Sequence, residues 1–167
     1  MPRIIFATAL PVGVESLMEI VDMELEGRMS PGKVMERLNQ VLPEGIEIIE
    51  AEEVLRSSPS SYLLHHSVYW IPLDHLFSKE ETISRIKKAL EKKEFVIHQE
   101  RKGKKRNVDI RPLIEKIEVK EKEGSLWGVE LGLRRVEGRT AKPSEILGAI
   151  LGLEGESLTR CEVVKIE

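Results

Sequence analysis

The chain has 167 residues, 41% of them hydrophobic and 33% charged, and carries a net charge of −3. That length supports one domain or two small ones with a real core, and the charge balance excludes a polycation. No apolar run is long enough for a membrane span or a secretory leader, and the single cysteine, Cys161, excludes an internal disulfide and points to a cytoplasmic protein.

Taken in order, Ile4-Ile5-Phe6-Ala7 is apolar on both faces and predicts a strand buried inside a sheet. A Pro11-Val12-Gly13 turn follows, with the glycine expected to meet a backbone angle that other residues disfavour. Leu17–Leu25 then alternates, Leu17, Val21, Met23 and Leu25 pointing one way and Asp22 and Glu24 the other. Ser30-Pro31 opens a helix carrying Val34, Leu38, Val41 and Leu42, which Pro43 and Gly45 end. Ile46-Glu47-Ile48-Ile49 resumes as a strand reaching about Val54.

RSSPSS at Arg56–Ser61 is polar, carries a proline and reads as a linker. Beyond it come a strand around Ser67–Ile71 and a Ser78/Glu81 capping box before a helix with Ile83, Ile86 and Leu90 on one face. Phe95–Ile97 and Val108–Ile110 flank a very basic turn. Alternating Leu113, Ile117 and Val119, then Trp127, Val129, Leu131 and Leu133, form a hairpin about Glu123-Gly124. Pro143 starts a third helix, with Gly148 and Gly152 as packing and capping residues, and Leu158–Ile166 closes as a strand.

This order is β-α-β-β-α-β with one added hairpin, the ferredoxin-like pattern, and the first portion matches only the latter half of it. The expected fold is therefore α+β with two ferredoxin-like units in tandem. Residues 1–56 form a unit incomplete at its N-terminus, 57–61 a linker, and 62–167 a unit with an extra basic hairpin. A buried-type strand without its neighbour predicts a homodimer through the N-terminal sheet edge.

The strongest chemical feature is Arg101-Lys102-Gly103-Lys104-Lys105-Arg106, five cations in six residues at a hairpin tip. Removing those five charges from the net −3 leaves −8 for the rest of the chain, so the molecule is polarised. Such a tip neutralises phosphates, Gly103 permits close backbone approach, and Arg111 with the nearby Lys116 extends the patch. The competing roles are a solvated turn that protects a sheet edge and, for Arg111 with Asp109, satisfaction of turn backbone or of each other. Aromatic content of 4% is low for a base-stacking platform.

No catalytic constellation, phosphate loop, dinucleotide fingerprint or cofactor motif occurs, and Glu15 with Ser16 does not make one. His65, His66, His75 and His98 have no ligand spacing, and His75 with Asp74 is a weak pairing, so no metal is expected. Abundant Lys and Glu beside few Asn and Gln is a thermophile-like bias.

The runs PRIIFATALPVGVES, DMELEG, LNQVLPEGIEI and VDIRPLI resemble a bacterial family of unknown function, the radical SAM-linked proteins. Members are encoded beside, or fused to, a radical S-adenosylmethionine enzyme and carry a further strand and helix ahead of this point. The resemblance implies an accessory protein with such an enzyme as partner. The chain lacks the cysteine triplet for the iron–sulfur cluster of that chemistry, so it is not expected to be the enzyme itself. The expectation is a non-catalytic module that binds RNA or another polyanion through Arg101–Arg106 and Arg111. The alternative is a protein–protein scaffold without nucleic-acid binding.

Overall fold

A computed structural model describes residues 3–8, 10–55, 66–73, 76–101, 104–122, 126–137, 139, 141–153 and 161–167. The chain is α+β. It divides into one compact unit of Met1–Ala9 with Glu19–Leu64, and a second of Leu10–Met18 with His65–Glu167. The linker expected at 57–61 lies outside the described residues. Among those residues, no helix is long and apolar enough to cross a membrane.

In the first unit, strand β1 (Arg3–Phe6) pairs antiparallel with β3 (Val21–Glu24), and helix α1 (Pro31–Asn39) follows. The strand forms where expected, but its burial does not. Ile4 is 53%, Ile5 42% and Phe6 61% exposed, and α1 has no buried residue. A two-stranded ribbon and a nine-residue helix offer too little opposing surface for a core.

The strand expected over Ile46–Val54 is also absent. The Asn39 side chain explains part of this: Ile48 N–H donates to Asn39 Oδ1 at 2.7 Å, and Asn39 Nδ2 donates to the Ile48 carbonyl at 3.0 Å. One amide thus takes both backbone groups of Ile48 that a neighbouring strand would take. Of the long strand expected over Leu17–Leu25 only β3 forms, and ahead of that span lies a separate short strand, β2 (Val14–Ser16), which belongs to the second unit.

The second unit contains a five-stranded sheet. Its strands are β2, β4 (His66–Pro72), β7 (Ile114–Glu121), β8 (Trp127–Arg134) and β9 (Val163–Lys165), in spatial order β2-β9-β4-β8-β7. β2 runs parallel to β9, whereas β9–β4, β4–β8 and β8–β7 are antiparallel. A separate ribbon joins β5 (Val96–Arg101) to β6 (Lys104–Asp109).

Helices α2 (Lys79–Leu90) and α3 (Pro143–Leu151) start as the sequence predicts. Ser78 Oγ accepts the Glu81 N–H at 3.2 Å, and Pro143 occupies the first turn of α3. Gly152 ends α3 with φ +70°, where its N–H and that of Leu153 both donate to the Gly148 carbonyl. Gly13 likewise takes φ +83° in its turn.

Period-two alternation gives the sheet one apolar face, built from Tyr69, Ile71, Val129, Leu131, Leu133 and Val163. Ile86 and Ala89 of α2, and Ile146, Leu147, Ile150 and Leu151 of α3, pack into the same core. Cys161 is buried there too, and burial pushes its thiol pKa up. The helices therefore cover one sheet face of the second unit, and the core of the described residues is almost wholly in that unit.

Candidate polyanion-binding site

The basic run is carried by the β5–β6 ribbon, whose strands continue through it up to the pair Arg101↔Lys104. Lys102 and Gly103, at the turn itself, lie outside the described residues. The ribbon is anchored at its base by apolar contact, with Phe95, Ile97 and Val108 packed against the core. Lys92 Nζ stands 5.1 Å over the Phe95 ring, and His98 Nδ1–H donates to Asn107 Oδ1 at 2.6 Å.

Asp109 latches the base. Its Oδ1 accepts the Phe95 N–H at 2.8 Å and the Arg111 N–H at 3.0 Å, while Ile110 N–H donates to the Phe95 carbonyl. The carboxylate therefore satisfies turn backbone and closes the ribbon. Asp109→Ala is expected to cost about 1–3 kcal/mol, because two backbone donors lose their acceptor. Thermal unfolding and faster amide exchange at Phe95 and Arg111 would measure it, and Asp109→Asn, which keeps the oxygen, should retain most of the stability.

Backbone register sorts the run. Positions 99, 101, 104 and 106 share one ribbon face with Ile97 and Val108, because Gln99 faces Arg106 and Arg101 faces Lys104. Position 105 lies on the other face, directly opposite Glu100. The first face thus holds three cationic positions, Arg101, Lys104 and Arg106, and no acidic one.

Arg111 stands apart from these. It begins a single 3-10 turn, Arg111–Leu113, at the base of the ribbon. Five residues at about 3.4 Å each put the tip roughly 17 Å from that base. Near Arg111 the fold brings a further cation that no motif marks in the sequence: Arg134 Nε donates to the Pro112 carbonyl at 2.6 Å. The only sequence signal was the Arg134-Arg135 pair ending a strand.

Lys116 does not extend the patch. Its Nζ lies 3.0 Å from Glu118 and 3.4 Å from Glu130, and Lys120 Nζ reaches Glu130 at 2.5 Å. The bond to Glu118, helped by Glu130, raises the Lys116 pKa, and the bond from Lys120 holds Glu130 below the usual carboxylate range. These charges neutralise one another on the sheet.

Of the histidines, His66 Nε2–H donates to Glu167 Oε1 at 3.1 Å, while His65 and His75 (with Asp74) lie outside the described residues. Among the described residues, no group of three or more His, Cys, Asp or Glu side chains could hold a metal ion. Ser16 Oγ donates to the Met18 carbonyl at 3.1 Å.

A family model described as "Uncharacterized protein conserved in bacteria (DUF2344)" matches residues 1–143. The chain belongs to that family. The DUF2344 match spans the first unit, the basic ribbon, the β7–β8 hairpin and the start of α3. No curated protein and no solved structure matches the chain.

Proposed function

We propose that this DUF2344 chain is a non-catalytic accessory module that binds RNA or a similar polyanion through the β5–β6 ribbon. The observation that carries the reading is the register: Arg101, Lys104 and Arg106 fall on one face without a carboxylate, in a chain whose net charge is −3. A ribbon two strands wide, with cationic positions on one face of its register, suits tracking a nucleic-acid backbone without reading its bases. Low aromatic content agrees with backbone contact rather than base stacking.

The reading includes a tandem ferredoxin-like architecture with the first unit in partial form. Supporting it, with the inserted β5–β6 ribbon set aside, β4-α2-β7-β8-α3-β9 follows the β-α-β-β-α-β pattern, and β9-β4-β8-β7 places its four strands in the spatial order fourth, first, third, second. The resemblance to radical SAM-linked proteins supplies the proposed setting, alongside a radical SAM enzyme.

The test is a salt titration of binding to single-stranded RNA. Replacing Arg101, Lys104 and Arg106 with alanine should reduce the slope of log K against log salt by about 2, at roughly 0.7 per lost phosphate contact. Lys105→Ala, opposite Glu100, should change it less than any one of the three. Equal slopes for wild type and the triple variant would overturn the proposal.

A second reading, a protein–protein scaffold, is favoured by the exposed Ile4, Ile5, Phe6 and Val21 on the β1–β3 ribbon. Pairing of β1 with a partner protein or a second copy would cover them. Co-purification with the radical SAM enzyme, unaffected by the triple variant, is its expected signature.

A further inference from the structure

The five-stranded sheet ends at β7, and among the described residues no strand pairs with its outer edge. Beside that edge an apolar cleft of about 520 Å³ opens between α2 and β7, lined by Ile83, Ile86, Leu90, Ile117 and Val119. Ile83 is 47% exposed there although it sits on the core side of its helix. An unpaired edge alongside half-covered apolar side chains is an incomplete surface. We propose that its occupant is β7 of a second copy of this chain, paired antiparallel about a two-fold axis at Val119.

The strand's own charges argue for this partner and this register. In an antiparallel ladder, alternate residues turn both backbone groups to the same side, so every outward-turned residue of β7 has one parity. Two copies can therefore pair only in registers where facing residue numbers are both odd or both even. Centred on Glu118, the pairing would oppose Glu118 to itself and Lys116 to Lys120, so its charged pairs are repulsive and only Ile117 against Val119 is favourable.

Centring on Ile117 runs into the register shift between Ile114 and Lys116, leaving only three regular residues. Centring on Val119 uses the regular stretch 117–121, sets Glu118 against Lys120 twice, and joins Val119 to Val119 on the cleft side. Within each copy Lys120 already meets Glu130, so the new pairs would extend that network across the seam. Lys and Glu on an edge strand also serve to prevent pairing, and the experiment must separate the two roles.

Sedimentation of the full chain at micromolar concentration should show a dimer. Glu118→Lys and Lys120→Glu alone should each weaken it by about tenfold, since two attractive pairs become repulsive. An equimolar mixture of the two variants should restore association as a heterodimer, because each supplies the charge the other lacks. Loss of a monomer's own ion pairs cannot produce that rescue. Val119→Cys should form a symmetric intermolecular crosslink. A monomeric wild type, a Lys120→Glu variant that associates normally, or a mixture no tighter than its parts would overturn the proposal. None of these readouts involves RNA, so the outcome is independent of the polyanion reading.

Discussion

Gly128→Ala is expected to lower the melting temperature of the second unit by roughly 15 °C, corresponding to about 3 kcal/mol. A β-carbon at Gly128 would lie 2.3 Å from the Ile71 carbonyl oxygen and 2.9 Å from both the Ile71 carbonyl carbon and Pro72 Cα. These are backbone atoms in the strand pair Pro72↔Gly128, so no side-chain rotation relieves the contact. β4 or β8 must shift, and with it the layer that α2 and α3 pack upon. Gly132→Ala on the same strand is the control. Its added carbon would meet Lys116 Cβ at 3.4 Å, an ordinary contact, and should change stability by no more than about 0.5 kcal/mol. Thermal unfolding followed by circular dichroism compares the two, and equal melting temperatures would refute the close-approach account.

Leu147→Ala is the second large effect, expected to cost about 2–5 kcal/mol through loss of contacts and the cavity left behind. Leu147 is 0% exposed at the centre of α3, within the cluster shared by the sheet and α2. Ile5→Ala, at a residue of similar size in β1, should cost no more than about 0.5 kcal/mol in the isolated chain, because Ile5 already meets solvent. Chemical denaturation of both variants checks the contrast. A large loss from Ile5→Ala would show that the first unit is held by packing that its exposure does not reveal.

Much of the second unit was legible because its signals are local. The Ser78/Glu81 signal, the alternation from Leu113 to Leu133 and the proline that opens α3 each depend on neighbours a few residues away, and each element formed. The first unit misled for the opposite reason. Apolar residues on both faces of Ile4–Ala7 state a preference for burial, but burial needs an opposing surface, and the ribbon and α1 do not supply one. At Ile48 a strand-like composition yielded to Asn39, a residue with no marked meaning in sequence, which takes both backbone groups that a ladder would use. At the candidate site, the sequence located the basic run but not its division between two ribbon faces. That division depends on the pairing Arg101↔Lys104, and the same extended ribbon separates Arg111 from the tip.

The parallel pairing of Val14–Ser16 with Val163–Lys165 has a kinetic consequence. These partners are the most distant in sequence of any two strands in the sheet, and β9 must already lie beside β4 before β2 has an edge to join. Closing so long an intervening segment carries a high entropic cost that only completed packing offsets. Assembly should therefore run outward from the β7–β8 hairpin, with the Val14–Ser16 segment docking last and, by the same token, detaching first when the protein opens.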